Sequence, residues 1–223
     1  VGVRIPGICK VGSRLEDKSA QTSTYGATIP RIYGTCAVTG NVIWLKGNQL
    51  FDISVTAKGK KTSLFGNRSR TTVFPVFATF AVGLCEGPIA GIRRLWIGSD
   101  LVYDAGSDDI EAIIASNQRI GADPLETLPD NIVFKGDVSS ISERLPPWTF
   151  KIYYGTEDQE PSIAQEADKG AGNVPAYRGL AYIEIYNLPL EKYGNSLAGA
   201  QVKAEVVKSG TTAVENVSSV RKT

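Results

Sequence analysis

The residues best suited to chemistry are carboxylates gathered in the last third of the chain. Glu157, Asp158 and Glu160 lie in one short stretch, and Glu166 and Asp168 follow soon after. Paired carboxyl groups can act as acid and base in glycoside cleavage, or can bind a divalent cation. Adjacent carboxylates in a turn more often cap a helix or face solvent. We therefore predict a structural role for this stretch, with hydrolysis by Glu157 or Asp158 together with Glu166 as the alternative.

The rest of the composition argues against an enzyme. The chain has no histidine, which removes the most common general base and the histidine-based nucleophile pairs. Cys9, Cys36 and Cys85 are odd in number and widely spaced, which favours neither a disulfide framework nor a zinc site. The glycine-rich phosphate-binding patterns and the nucleophile-elbow pattern are also missing. We predict a protein without enzymatic activity, with no catalytic, cofactor-binding or metal-binding residues and no cofactor.

The charges give little reason to expect a stable complex with nucleic acid. Lys and Arg number 24 against 23 Asp and Glu, so there is no net basic field to attract phosphates. The densest basic stretch comprises Lys58, Lys60, Lys61, Arg68 and Arg70, interleaved with Gly, Thr and Ser. Because glycine, threonine and serine rather than aromatic residues predominate between the cations, this stretch is typical of a solvated loop, and we predict a loop here.

The tryptophans offer one further candidate site. Trp96 or Trp148 could present a flat ring on which a sugar stacks, as in a carbohydrate-binding β-sandwich. In a chain rich in strands, aromatic residues more often fill strand faces. We therefore expect Trp44, Trp96 and Trp148 to lie in the core or at an interface.

Alternation of apolar and polar residues predicts that strands position these side chains. The clearest alternation lies in one strand. Its predicted inward face carries Ala181, Ile183 and Ile185, and its predicted outward face carries Tyr182, Glu184 and Tyr186. The stretches 150–154 and 201–206 alternate in the same way. The apolar run 71–84 predicts a strand buried on both faces, with an edge or a break at Pro75.

Turn and cap signals divide the remaining elements. Gly40 and Asn41 suit a tight turn or bulge between two short strands, and the glycine at position 98 suits a hairpin between strands over 92–97 and 101–103. Ser107 is a candidate N-cap for a short helix that starts at Ile110. A further strand is expected over 132–134. The pattern predicts a mainly β chain, antiparallel and barrel-like or sandwich-like, with one or two short helices.

The predicted organisation has an N-terminal arm over 1–28, a β-rich region over 29–207, and a linker or tail over 208–223. An excursion over 104–148 leaves open whether the β-rich region is one unit or two subdomains. The chain begins at Val1 and contains no methionine, so we expect it to be a piece of a longer polypeptide. No stretch approaches the length of a membrane-spanning helix, and we predict no stable membrane insertion of this segment.

Three passages, in this order along the chain, carry a family resemblance. They are 21–34 (QTSTYGATIPRIYG) with 40–44 (GNVIW), 80–92 (FAVGLCEGPIAGI), and 154–161 (YGTEDQEP) running on to 175–182 (PAYRGLAY) and 187–190 (NLPL). Together they resemble the tail hub, or baseplate hub, proteins of long-tailed phages and gene transfer agents, over about residues 13 to 207. Fixed φ angles and missing Cβ atoms beside apolar strands predict architectural roles for Pro30, Gly34, Gly87, Pro88, Gly91 and Gly179.

The resemblance implies hub domains in a homotrimeric ring that closes the distal end of the tail tube and anchors distal tail parts. The implied partners are the distal tail protein or tail tube subunits, and distal fibre or spike components, with DNA only in transit through the channel. The implied location is the virion tail tip, after assembly in the host cytoplasm. A tail-associated cell-wall glycan hydrolase and a carbohydrate-binding β module are the alternatives.

Overall fold

The computed structural model describes residues 9–11, 29–61, 68–120, 131–135, 145 and 147–208. The described strands, in chain order, are β1 (Cys9–Val11), β2 (Thr35–Thr39), β3 (Asn41–Leu45), β4 (Phe51–Asp52), β5 (Ser54–Lys61), β6 (Arg68–Val73), β7 (Val76–Glu86), β8 (Gly91–Ile97), β9 (Asp100–Asp104), β10 (Asn131–Lys135), β11 (Thr149–Tyr154), β12 (Leu180–Pro189) and β13 (Val202–Val207). The described helices are α1 (Ile110–Gln118) and α2 (Ile163–Lys169), with 3-10 turns at Lys46–Asn48 and Glu191–Tyr193. The predicted mainly β fold with short helices is confirmed. Apart from β1 and Lys208, the predicted arm and tail lie outside the described residues, and the domain division stays a prediction.

A central sheet has the strand order β11-β12-β7-β3, and β4 also pairs with β7. Strand β7 comes from the apolar run, and every residue from Val76 to Cys85 is buried. Pro75, which has no N–H to donate to a strand ladder, separates β7 from β6. The prediction of a strand buried on both faces, with a break at Pro75, is confirmed.

A second sheet, in the order β2-β13-β8-β9, packs against one face of the central sheet. The main core between them joins Phe80, Val82 and Ile183 to Leu95 and Val206, all of them almost fully buried. Both sheets are antiparallel, so the sandwich-like arrangement is confirmed, while the described strands form no closed barrel. The predicted hairpin is the antiparallel pair β8 and β9.

The chain changes sheets between β2 and β3. Gly40 lies between these strands, and its N–H donates to the carbonyl oxygen of Val202 in β13 at 3.0 Å. Strand β2 pairs with β13 in the second sheet, whereas β3 pairs with β7 in the central sheet. The two short strands are therefore present as predicted, and the glycine between them marks a corner of the sandwich.

An outer sheet has the order β1-β6-β5-β10. Its two outer pairs, β1 with β6 and β10 with β5, are parallel, so the fold is not wholly antiparallel. A small separate core of Ile53, Val55 and Phe77 packs beneath it.

The basic stretch lies in this outer sheet, so the prediction of a solvated loop is wrong. Lys58, Lys60 and Lys61 belong to β5, and Arg68 and Arg70 belong to β6. The alternate residues of β5, Val55 and Ala57, are buried and give that strand an apolar inner face. Glycine and threonine between the cations conceal this alternation in the sequence.

Helix α1 is confirmed, but its cap is not the predicted residue. The carboxylate of Asp109 accepts a hydrogen bond from the N–H of Ala112 at 3.0 Å and is the N-cap. The hydroxyl of Ser107 instead accepts from the N–H of Asp109 at 3.0 Å. Aspartate and serine both suit an N-cap, and here Asp109, the residue directly before the helix, takes that position.

Helix α1 is tied to β8 through a buried amide. The side chain of Asn117 accepts from the N–H of Ile92 at 2.7 Å and donates to its carbonyl oxygen at 2.8 Å. This contact needs the preceding Gly91, because a Cβ there would lie 2.7 Å from the Asn117 Oδ1 atom. The architectural role predicted for Gly91 therefore has a geometric cause.

Candidate functional site

The acidic stretch 156–160 forms a turn that leaves the end of β11. Its anchor is the buried side chain of Gln159, whose Oε1 accepts from the N–H of Gly155 at 2.8 Å. The Nε2 of Gln159 donates to the carbonyl oxygens of Ala176 and Tyr177 at 2.9 and 3.0 Å. Gly155 has a φ of 73°, and a Cβ there would lie 2.7 Å from the Ala181 backbone nitrogen. The turn is thus held by an uncharged residue that sequence reasoning did not single out.

The carboxylates of this turn, Glu157, Asp158 and Glu160, are exposed to solvent. A hydrogen bond from the Thr156 side chain, followed by one from its own backbone N–H, lowers the pKa of Asp158. A general acid for glycoside cleavage needs the opposite shift, so that it holds a proton near neutral pH. The geometry therefore offers no support for Asp158 as such an acid.

The other two candidate carboxylates hold the chain around α2. Glu166 accepts from the N–H of Gly172 at 3.1 Å, which fastens the segment after the helix. Asp168 accepts from the indole Nε1 of Trp44 at 3.1 Å and from the N–H of Gly47 at 3.0 Å. Glu166 and Asp168 thus have structural partners in separate places.

A buried polar cluster lies between α2 and the central sheet. The carboxylate of Glu184, in β12, is fully buried and accepts from the Ser162 hydroxyl at 2.8 Å and from the Gln165 amide at 2.6 Å. The Tyr186 hydroxyl donates to the same carboxylate, and the Tyr153 hydroxyl lies 3.5 Å from it. Burying a carboxylate is costly unless its oxygens are hydrogen-bonded. These donors supply that compensation and fasten α2 onto β12.

Aromatic rings close one side of the polar cluster. The rings of Tyr153 and Tyr182 stack with centroids 4.2 Å apart, and Tyr177 meets Tyr182 edge to face at 5.4 Å. Burial, with a smaller contribution from the Glu184 charge, raises the pKa of Tyr153 to about 12. Burial also raises the pKa values of Tyr182 and Tyr186. All three hydroxyls therefore remain protonated at neutral pH.

The prediction for the outward face of β12 is wrong. Ile183 and Ile185 lie in the main core as expected, but Tyr182, Glu184 and Tyr186 are also buried. Alternation distinguishes the two faces of a strand but cannot show that a helix covers the polar one. The available signal was Ser162 followed three residues later by Gln165, which is a capping-box pattern. The Ser162 hydroxyl does accept from the Gln165 N–H at 3.3 Å and caps α2.

None of the three tryptophans is classed as exposed. Trp44 is buried, and the Lys203 Nζ lies 5.4 Å from the centre of the half-buried Trp96 ring. Trp148 is half-buried against the main core, with its ring 6.2 Å from that of Phe150. These positions match the expectation that the tryptophans fill the core or a sheet face.

An open cavity of about 430 Å³ lies beside the acidic turn. Its lining is mostly apolar and includes Ile89, Ile114, Ile152, Tyr154 and the side of Gln159. None of the residues that line it is an aspartate or a glutamate. The cavity therefore does not bring the candidate carboxylates to a shared substrate position.

Across the described ranges, no three His, Cys, Asp or Glu side chains gather closely enough to hold a metal ion. None of the helices in those ranges has the length and apolar character needed to cross a membrane.

Three stretches distant in sequence meet at the end of β7. Backbone hydrogen bonds join them, from the N–H groups of Glu86, Gly87 and Ile89 to the carbonyl oxygens of Pro30, Gly179 and Tyr154, at 2.9, 2.6 and 2.9 Å. Arg31 adds an ion pair to Glu86 at 3.2 Å. The junction therefore holds the passages that carry the family resemblance in one place, and its contacts are structural ones.

Comparison with known proteins supports the fold. No protein-family model and no curated protein matches the chain. A chain in a solved structure described as the virion of a native gene transfer agent particle has a similar fold, with a TM-score of 0.50 and 22% sequence identity. The similarity covers 92% of the present chain and 32% of that longer chain. The present chain thus matches the fold of about a third of a virion protein.

Proposed function

We propose that this chain is a structural module of the tail-tip hub of a phage-like particle. In this role it helps to close the distal end of the tail tube and anchors distal tail parts. The observation that carries the proposal is the similarity of fold, over 92% of the chain, to part of a chain in a gene transfer agent virion. The convergence of the three family-like passages at one backbone junction gives independent support.

A structural role in the hub also agrees with the contacts of the acidic and amide side chains discussed above, which hold the fold together. Gln159, Glu166 and Asp168 hold turns and a helix, and Glu184 holds α2 on the central sheet. We infer that the functional unit is a ring of three copies, in contact with the tail tube or distal tail protein on one side and with fibre or spike components on the other. DNA passes through the ring without a lasting contact.

Labelling of intact particles tests the location. Gold-conjugated antibodies against the region 29–207 are applied to purified particles and viewed by electron microscopy. We expect label at the tail end farthest from the capsid, after mild treatment that removes fibres. Label on the capsid, or along the whole tube, would exclude the tail tip.

A lysis assay tests the inference that the module is not an enzyme. The parent chain and the variant Glu157→Gln with Asp158→Asn are compared on a gel that contains peptidoglycan. We expect neither to clear the gel, because Asp158 has a lowered pKa and the neighbouring cavity is lined without carboxylates. Clearing by the parent that the variant abolishes would establish the hydrolase alternative instead.

A further inference from the structure

Like charges stand directly opposite one another on two strands of the outer sheet. Lys58 of β5 is in register with Arg70 of β6. Directly opposite residues on neighbouring strands share a face of the sheet, and the strands are about 4.8 Å apart. Because Val55 and Ala57 point into the core, Lys58 lies on the face away from it. We call Lys58 and Arg70 the basic row.

The described part of the chain does not neutralise this row. Lys58 and Arg70 have no ion pair there, although other cations of the same structure do. Arg94 in the second sheet, for comparison, pairs with Asp104 at 3.0 Å and with Glu205 at 3.6 Å. Like charges directly opposite in a sheet are destabilising. Within the described residues the row therefore has repulsion without a compensating ion pair, and an anionic partner would supply that compensation.

The surroundings of the row favour a protein partner over nucleic acid. The adjacent row across β10, β5 and β6 consists of Val133, Thr56 and Thr72, with Val133 59% exposed and the two hydroxyls 3.1 Å apart. Single-stranded nucleic acid needs aromatic platforms, and duplex binding depends on a net basic field. This face presents valine and threonine beside its cations, and the chain's net charge is only +1.

We propose that the basic row is the docking surface for the acidic turn 156–160 of a second copy of this chain. The turn presents three exposed carboxylates, Glu157, Asp158 and Glu160, held in place by buried Gln159. One copy thus carries both members of a complementary pair of surfaces, which accounts for a strongly charged contact in a nearly neutral chain. A contact between two different surfaces of identical chains generates a ring when its rotation closes. The choice of a second copy rests on the proposed ring of three.

Zero-length cross-linking tests the contact. Full chains grown in ordinary and in nitrogen-15 medium are mixed, assembled and treated with a carbodiimide, which joins a lysine amine directly to a carboxylate. We expect mixed-isotope peptides that join Lys58 to Glu157, Asp158 or Glu160. Cross-links from Lys58 found only within a single isotope, or none to this turn, would overturn the proposal.

Charge reversal gives a second and independent readout. The variant Lys58→Glu with Arg70→Glu, and the variant Glu157→Lys with Asp158→Lys, should each reduce the intermolecular product by about tenfold. A chain that carries all four substitutions should regain it, because the pair of surfaces is reversed together. The control is Lys192→Glu, a cation with a side chain 81% exposed on another surface, which should leave the product unchanged. Failure of the four-fold variant to regain the product, when it still folds, would also overturn the proposal.

Thermal stability of the dilute, unassembled chain provides the third readout. Lys58→Thr with Arg70→Thr should hold Tm or raise it by ~1–3 °C, because it removes repulsion and introduces a residue that favours strands. The same variant should lose the intermolecular cross-link. A fall in Tm would mean that the cations are neutralised within their own chain, and the proposal would be wrong. Such a result would leave the tail-tip location standing, because particle labelling tests that separately.

Discussion

Glu184 is the residue on which the packing of the second helix depends. It lies on a strand between two isoleucines of the main core, and its carboxylate accepts from Ser162, Gln165 and Tyr186 on the other face. Because these donors satisfy the carboxylate, a helix can cover this polar side of the strand while the other side faces the main core. This explains how a carboxylate comes to be fully buried in a chain for which we propose no catalysis.

Removing the Glu184 carboxylate should destabilise the fold. We expect Glu184→Ala to lower the free energy of unfolding by about 3 kcal/mol or more, because three buried donors lose their acceptor. Urea denaturation followed by circular dichroism measures this. The matched control is Glu157→Ala in the exposed turn, which should change stability by less than about 0.5 kcal/mol. Equal effects of the two variants would show that the polar cluster does not fasten α2.

The buried tyrosines predict a loss of stability at high pH. Folding raises the pKa of Tyr153 from 10.0 to about 12, chiefly because burial disfavours the phenolate. A group whose pKa is raised by folding contributes stability that is fully present below its unfolded pKa. That contribution is lost as the pH rises from about 10 through about 12. We expect phenolate absorbance and loss of far-ultraviolet ellipticity to rise together in this window. Ionisation of all tyrosines near pH 10 with the fold intact would contradict the prediction.

The burial of a residue could be predicted from the sequence where it depends on near neighbours in the chain, and could not where it depends on residues far away in the chain. The inward positions of Ile183 and Ile185 follow from alternation along one strand. The burial of Glu184 depends on Ser162 and Gln165, about twenty residues away, and on how α2 folds over β12. The local pattern therefore identified the core face of the strand. In the acidic turn, the sequence pointed to the carboxylates, whereas the residue that holds the turn is their neighbour Gln159.

At the scale of elements, α2 is anchored at both ends by side chains. Ser162 begins the helix and bonds to β12, while Asp168 near its end binds the indole of Trp44 and the backbone of Gly47. This short helix spans only seven residues, so packing and these bonds rather than helix propensity must stabilise it. The helix thus connects β3, at one edge of the central sheet, with β12, which lies on the far side of β7.

Asp168 provides a test of this anchoring. We expect Asp168→Ala to cost about 1–2 kcal/mol, since a backbone N–H and an indole N–H lose their acceptor. The Trp44 indole N–H resonance should shift and exchange faster with solvent, whereas the Trp96 and Trp148 resonances should not. Asp158→Ala, in the exposed turn, is the control and should leave all three resonances in place. An unchanged Trp44 signal in Asp168→Ala would mean that α2 is held without this contact.

Elements with strong local signals were predictable, and pairings between distant elements were not. The apolar run of β7, the β8–β9 hairpin and helix α1 follow from composition, turn residues and capping residues. The parallel pairings of β1 with β6 and of β10 with β5 join residues far apart in sequence, which no local pattern specifies. The basic stretch was misplaced for the same reason, because its strand character depends on partners in the outer sheet.

At the scale of the whole molecule, two antiparallel sheets share one core, and a third sheet presents a charged face of its own. A chain in a gene transfer agent virion has a similar fold over part of its length. A ring of such modules needs rigid sandwiches, complementary surfaces and a channel wall that does not grip DNA. The third condition predicts acidic or neutral side chains toward the channel, with the basic row on a contact between copies.

Image averaging of the tail tip of intact particles is the most direct measurement of the central proposal. We predict three copies of the sandwich around the tail axis, enclosing the channel, with the outer sheet of each copy against its neighbour. Six copies, or three copies placed at the periphery without enclosing the axis, would contradict the hub assignment.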